Sequence, residues 1–400
     1  MKVLNVSFTL DPITGGGVAE RTFQMSRHLA RAGVDCSVLT LESGLTAQRR
    51  NELSGVRLVA LTCLLRRFYV PLPKLRTIQK AVAAADVIHL IGHWNLLNVI
   101  VYWFARRMNK PYVVCPAGEL KIFGRSQRLK RLFNALVGRR LVKQAAGHIA
   151  ITADEAAQFR LYGVEADRVT VIPNGIDSND FTAQDHDQFR RVYGLGDARF
   201  ILFMGRLNEI KGPDLLLDAF CALSEKVPEY QLVFVGPDCG MRSRLEQRAN
   251  AAEMGDRVHF LGYLGGEEKS RAYHAAQLLA IPSRQEAMSI VVLEAGICRT
   301  PVLLTDQCGF DEVEAIDGGR VVPTNVDGLV RGLSEMLGNE DQLPSQGARL
   351  YDFVSSQFVW NIVIDNYCEL YRRIISGESE RSASPRDQNE SRMSQTDVAA

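Results

Sequence analysis

Ile281-Pro-Ser-Arg-Gln-Glu-Ala-Met-Ser-Ile-Val-Val-Leu-Glu-Ala-Gly296 carries two glutamates, Glu286 and Glu294, separated by seven residues. Leu278 to Ile281 has the composition of a buried parallel strand, Pro282 and Ser283 stop it, and Ile290 to Ile297 resumes at helical spacing. Glu286 is therefore expected in a strand-to-helix loop and Glu294 inside the helix. Backbone N–H groups from Met288 through Ser289 to Ile290 stand at the start of that helix, where an anion is favoured. A phosphate beside two carboxylates suggests a nucleotide-linked sugar, whose hydroxyls want acceptors while its diphosphate wants donors. The competing reading is a solvated Glu286 and a helix-capping or salt-bridged Glu294.

Working outward, the same punctuation recurs. Val3 to Phe8 reads as a first strand, Thr9 to Gly17 as a loop, Val18 to about Arg31 as a helix closed by Gly33, and Val34 to Leu41 as the second strand. Strands then alternate with helices through Val56–Leu61, Val87–Ile91, Tyr112–Cys115, His148–Ile151 and Val169–Ile172. After the polar break from Pro173 to Asp187 the alternation restarts at Phe200–Met204 and runs through Gln231–Val235, Val258–Leu261, Leu278–Ile281, Val302–Thr305 and Arg320–Val322. Such alternation implies parallel sheets covered on both faces, here as two doubly wound domains. Residues 1–175 form the first domain, 176–355 the second, 356–375 a terminal helix, and 376–400, almost without apolar residues, a disordered tail. Ligands of such sheets bind outside the carboxyl ends of the strands.

Four hundred residues exceed one hydrophobic core, and 46% apolar content suffices for two. Net charge is +1, but residues 1–175 hold 25 Lys+Arg against 11 Asp+Glu, leaving 22 against 35 for the rest. The basic half suggests an anionic surface or ligand. Lys121 to Lys143 concentrates it, with eight basic residues, no acidic one, and Leu129, Leu132, Phe133, Leu136, Val137 and Leu141 at helical spacing. Such a helix can lie on an anionic bilayer or simply cover the sheet with a solvated basic face. Leu64-Leu-Arg-Arg-Phe-Tyr-Val70 adds two cations beside apolar residues. Eight dispersed cysteines show no zinc-ligand spacing and read as reduced thiols of a cytosolic protein. There is no uninterrupted apolar span of membrane length.

Further residues carry chemistry. Gly15-Gly-Gly17 lets backbone approach a phosphate or sugar closely, but Glu20 stands where a dinucleotide fingerprint needs a small residue. Met204-Gly-Arg-Leu-Asn-Glu-Ile-Lys-Gly212 places Arg206 and Lys211 after a strand, where two cations can clamp a diphosphate. Asp185-His-Asp187 reads as solvated linker rather than a metal site. His93, in Gly92-His-Trp-Asn95, follows a strand of the first domain at its ligand-binding end.

In this order, Gly15-Gly-Gly17, Val171-Ile-Pro-Asn-Gly-Ile-Asp177, Gly205-Arg-Leu with Lys211-Gly212, and the Glu286/Glu294 pair resemble the GT-B retaining glycosyltransferases of family 4, from the first strand to about residue 375. The resemblance implies two Rossmann-like domains facing a central cleft, with the terminal helix crossing back to the first. It implies that the second domain binds a nucleoside-diphosphate sugar, with Arg206 and Lys211 on the diphosphate, Glu286 on the sugar hydroxyls and Glu294 on the ribose, joined by Ser289 and Ile290. Gly16 and Gly17 would press on the donor. The sugar would pass with retained configuration to an acceptor hydroxyl, such as that of a lipid-linked intermediate of cell-surface polysaccharide synthesis. Neither a metal, another cofactor nor a nucleic acid is called for. Many relatives carry a histidine just past the strand matching Tyr112–Cys115 that contacts donor or acceptor, where this chain has Cys115-Pro-Ala-Gly-Glu119; His93, as a catalytic residue, or Glu119, on the acceptor side, is the expected substitute. The implied setting is the cytoplasm, with the basic helix as a route to the inner face of the membrane. A non-catalytic nucleotide-sugar binder and an NAD-dependent dehydrogenase remain as rival readings.

Overall fold

The computed structural model describes residues 1–65, 69–72, 74–122 and 126–377. The chain divides into two compact units: Met1–Leu10, Leu29–Ile172 and Asn366 onward form the first, and Asp11–His28 with Pro173–Asp365 the second.

The first unit contains β1 (Lys2–Val6), β2 (Asp35–Leu41), β3 (Arg57–Leu61), β4 (Cys63–Leu65), β5 (Val70–Pro71), β6 (Val87–Ile91), β7 (Tyr112–Cys115), β8 (Gly147–Ala150) and β9 (Val169–Val171). Seven of these make one parallel sheet ordered β3-β2-β1-β6-β7-β8-β9, while β4 and β5 pair apart as a short antiparallel hairpin. The second unit follows the same rule with β10 (Arg199–Met204), β11 (Tyr230–Val235), β12 (Val258–Gly262), β13 (Leu278–Ile281), β14 (Val302–Thr305) and β15 (Gly319–Val322), ordered β12-β11-β10-β13-β14-β15. Both are Rossmann-like windings, in which strand order reverses beside the first strand of the unit. The reversal falls between β1 and β6 and between β10 and β13.

The central strands are apolar on both faces because helices cover both. Leu4, Val6, Ile88 and Leu90 pack with Leu97, Val101 and Phe104 in the first unit, and Ile201, Phe203, Leu232 and Phe234 with Leu216, Leu217 and Phe220 in the second. Each fully buried side chain of this size contributes roughly 1.5–3 kcal/mol.

Several expectations are corrected. The helical stretch Pro12–Arg31 is two helices meeting at Gly16, whose φ of 54° and ψ of −139° no helix accommodates, so the long helix starts just past Gly16, close to the expected Val18, and a short helical turn from Pro12 stands where a loop was expected. Asp185 is a helix cap and not linker: its carboxylate accepts from the Gln188 N–H at 2.8 Å and starts the helix His186–Val192. The basic helix runs Gln127–Phe133 and Arg139–Lys143 with a π-turn, Asn134–Gly138, between them. A helix over Leu343–Gln357 and the β4–β5 hairpin were not anticipated. Expectations resting on Arg66, Arg67, Phe68, Arg125 and the tail from residue 378 lie outside the described residues.

One tight junction places the chain after β10. Gly212 has φ +66°, and a Cβ there would stand 2.0 Å from the Pro282 carbonyl oxygen, so only a glycine brings the Glu209–Lys211 turn against the segment leaving β13. Gly194 shares that conformation (φ +65°) but faces open space. Gly194→Ala should cost about 1–2 kcal/mol, the strain of a left-handed residue alone, and Gly212→Ala more. Equal losses in urea unfolding would show that the Pro282 approach is not a constraint.

Candidate active site

In the second unit, two loops leave the sheet from neighbouring strands at its point of reversal. One follows β10 and carries Arg206 and Lys211; the other follows β13 and carries Glu286 and Ser289. Lys211 Nζ lies 2.7 Å from Glu286 Oε1, and both side chains are largely buried. Ser283 donates its hydroxyl to the same oxygen at 2.5 Å. The loop is held further by Arg284, whose N–H donates to the Ile210 carbonyl at 2.7 Å and whose guanidinium grips Asp214 through both oxygens at 2.9 and 2.7 Å. A forked pair of this kind fixes direction as well as distance.

The helix Ile290–Ile297 begins at Ser289. The Ser289 N–H is not an open donor as expected, since it bonds the Cys308 carbonyl at 3.2 Å. Its hydroxyl is fully buried and makes no hydrogen bond among the described residues. A buried hydroxyl left unpaired costs about 1–3 kcal/mol, which a ligand atom would recover. The nearby Cys308 thiol is pushed up to about 12 by burial first and then by the Glu286 charge, so it stays protonated and offers no nucleophile.

The broken first helix belongs to this unit. A Cβ on Gly16 would lie 3.6 Å from the Arg206 guanidinium, and one on Gly17 3.2 Å from Ile290. Arg21, buried on the same helix, donates to the Asn174 side chain, and the Asn174 N–H meets Met288 Sδ at 3.2 Å. Gly16, Gly17, Arg206, Lys211, Glu286, Ser289 and Ile290 are thus brought together. Glu294 stands deeper in the helix: Oε1 accepts from Lys269 at 2.8 Å and Oε2 from the Tyr273 hydroxyl at 2.6 Å. It is salt-bridged, as the competing reading of the sequence allowed.

In the first unit His93 follows β6, the strand beside its point of reversal, and Glu119 follows the next strand, β7. Glu119 Oε2 accepts from the backbone N–H groups of His93 at 2.5 Å and Trp94 at 3.3 Å, and burial raises its carboxyl above the usual range. His93 Nε2 meets Asn134 Oδ1 at 2.9 Å, Asn134 Nδ2 donates to the Tyr162 hydroxyl, and that hydroxyl to the Leu120 carbonyl. This directed chain fixes the proton on Nε2 and leaves Nδ1 as the ring's acceptor. Trp94, Phe133 and Tyr162 stand edge-on around the ring. Burial pushes the imidazole down to about 4, so it is neutral at pH 7. Ser283, Lys269 and Tyr273 escaped the sequence reading, although Lys269 and Tyr273 show the four-residue spacing of one helix face. Asn134 had no sequence signal, because a lone amide on a basic helix carries no mark of the imidazole it meets.

Residues 185–349 match the family described as Glycosyl transferases group 1, and residues 16–175 the Glycosyl transferase 4-like domain. A D-inositol 3-phosphate glycosyltransferase of Actinosynnema mirum is 32% identical over 320 residues, 73% of this chain and 76% of that protein. Among solved structures, HepE of Anabaena in complex with UDP superposes with a TM-score of 0.77 at 20% identity, covering 92% of this chain and 99% of that one. Sucrose-phosphate synthase of Thermosynechococcus elongatus gives 0.74 at 21% identity, covering 94% and 100%. The chain belongs to the group 1 glycosyltransferases and has their GT-B fold of two Rossmann-like domains. Its activity is glycosyl transfer.

The depressed His93 gives a pH prediction. The unfolded chain takes up a proton near 6.5 and the folded one only near 4, so stability present above pH 6.5 is lost as pH falls toward 4. At about 1.36 kcal/mol per unit the loss is on the order of 3 kcal/mol. Urea unfolding at pH 7, 5.5 and 4.5 should show a steeper fall for wild type than for His93→Gln; parallel curves would mean that the imidazole titrates normally.

Proposed function

We propose that this chain is a retaining, metal-independent glycosyltransferase that moves a sugar from a nucleoside-diphosphate sugar to the hydroxyl of a lipid-linked acceptor. The observation that carries the donor assignment is the Lys211–Glu286 pair at the sheet's reversal point, with Arg206 and the unpaired Ser289 hydroxyl beside it. HepE holds UDP in its crystal structure, which supports a nucleoside diphosphate. Lys211 has three N–H donors and spends one on Glu286, leaving others for the diphosphate. Arg206 supplies a fork, and Ser289 and the Ile290 helix start supply further dipoles. Glu286, oriented by Ser283 and Lys211, accepts from sugar hydroxyls, Glu294 from the ribose, and Gly16 and Gly17 let backbone close on the donor.

In the reaction the bond from the anomeric carbon to the diphosphate breaks, the acceptor oxygen bonds to that carbon on the same face, and the acceptor proton passes to the departing phosphate oxygen. Negative charge grows on the diphosphate as the bond breaks. Fixed cations and dipoles lower that barrier because they need no reorganisation. Glu119 and the neutral His93 serve the acceptor side, as a carboxylate with raised proton affinity and a hydrogen-bond acceptor. Arg206→Ala and Lys211→Ala should each lower kcat/KM for donor about 10²-fold or more, with Glu286→Gln hurting turnover more than Glu294→Gln. Unchanged turnover at limiting donor would remove the cations from the site, and product of inverted configuration by NMR would overturn retention.

The lipid-linked acceptor rests on the basic helix. Leu129, Leu132 and Leu136 are 54%, 53% and 67% exposed, whereas Phe133 and Asn134 pack on His93 and Leu141 and Val142 are buried, so the three leucines lie off the face that covers the core. Arg128, Arg131, Arg139 and Arg140 are exposed on the same helix. Apolar side chains open to solvent between cations suit an anionic bilayer, each cation contributing about 1 kcal/mol. No helix among the described residues is long and apolar enough to cross a membrane. The protein should float with anionic but not neutral liposomes, and lose flotation in 1 M salt, where the Debye length is about 3 Å, or on changing Arg128, Lys130 and Arg131 to Ser. Flotation indifferent to lipid charge, or none, would favour a soluble acceptor.

A further inference from the structure

Lys269 and Tyr273 lie four residues apart on the helix Gly266–Ala275 and point at one carboxylate from one side. Each donates to a different oxygen of Glu294, at 2.8 and 2.6 Å. Glu294 and Tyr273 are buried, and Lys269 Nζ sits 5.2 Å above the Phe181 ring, which also meets Tyr273 edge-on at 6.1 Å. Phe181 thus packs against both donors.

A buried glutamate needs only a partner for its charge, and one lysine would satisfy that. Two donors on separate oxygens do more, because they stop rotation about the terminal torsion, which is broad and soft in a free glutamate. A carboxylate has about four lone-pair sites, and this one spends two on its own fold. The remaining pair faces a fixed direction. Ribose presents two adjacent hydroxyls, and a carboxylate that cannot turn accepts from both without losing side-chain freedom on binding. Burial lowers the Lys269 ammonium's proton affinity, but the Glu294 charge and then Glu20 outweigh it, so the lysine remains a cation and a donor.

We propose that Lys269 and Tyr273 are positioning residues that act through Glu294 to make the enzyme select ribose-bearing nucleotides. The inference rests on the donor reading above, which assigns Glu294 to the ribose. Neither side chain touches the donor; both act by holding the carboxylate that does.

The test is isothermal titration of the full chain with UDP, GDP and ADP, each beside its 2′,3′-dideoxy counterpart. Wild type should prefer a ribonucleotide over its dideoxy form by about tenfold or more, as expected for hydrogen bonds to a charged group. Lys269→Met and Tyr273→Phe should shrink that ratio below about threefold while leaving dideoxy binding unchanged, which also reports an intact fold. Lys269→Arg, which keeps a cationic donor, should restore much of the ratio. A purely structural pair would weaken both nucleotides equally and overturn the proposal. If Glu294→Gln abolishes the preference but Lys269→Met and Tyr273→Phe retain it, the proposal fails and the ribose role of Glu294 stands. If Glu294→Gln leaves the preference intact, or no ribonucleotide binds, the donor reading fails and this inference with it.

Discussion

A lysine ammonium 2.7 Å from a glutamate is the contact on which the second unit's site depends. Lys211 and Glu286 belong to loops that leave adjacent strands, β10 and β13, and parallel strands diverge beyond their last hydrogen bond unless a contact ties their loops together. Here the junction is continuous: Gly212 against the Pro282 carbonyl, Arg284 on Ile210 and Asp214, then Lys211 on Glu286. Backbone closeness comes first and the ion pair last. The pair is largely shielded from water, which strengthens its attraction and removes the screening that makes surface pairs nearly worthless. The lysine is consequently held as a point charge at the open end of the sheet, with donors to spare.

This arrangement shows why periodicity revealed the architecture and left the chemistry incomplete. β6, β7, β13 and β14 occupy the spans expected from their apolar runs, because strands covered on both faces have almost no polar alternative. The Glu286 loop was legible through Pro282 and Ser283. Hidden features are those in which a contact replaces a pattern. The helical turn from Pro12 was hidden because Thr14 and the three glycines that follow it are poor helix formers, so the stretch reads as a loop up to Gly17. Asp185 looked like linker because a capping residue and a loop residue are the same residue type. Lys269 shows its meaning only once Glu294 is set beside it.

The first unit carries a matching lesson in Asn134. The π-turn begins at Asn134, whose amide meets His93, and that amide settles which imidazole nitrogen holds the proton. The basic character of this helix was evident from sequence, but which of its leucines pack was not, since Leu129 and Leu141 are indistinguishable until the sheet is in place.

Asp11–His28 precedes most of the first unit in sequence and groups with the second. Its helix supplies Arg21 to Asn174 and His28 to Asp177, the latter with Trp360 stacked on the imidazole. The gene for this protein therefore has no place at which a single cut separates two self-sufficient modules. A recombination event joining the carboxyl-terminal half to a foreign first half would inherit buried amide and carboxylate groups whose partners stayed behind. Exchange of the second unit between such enzymes would have to carry a short amino-terminal helix along with it.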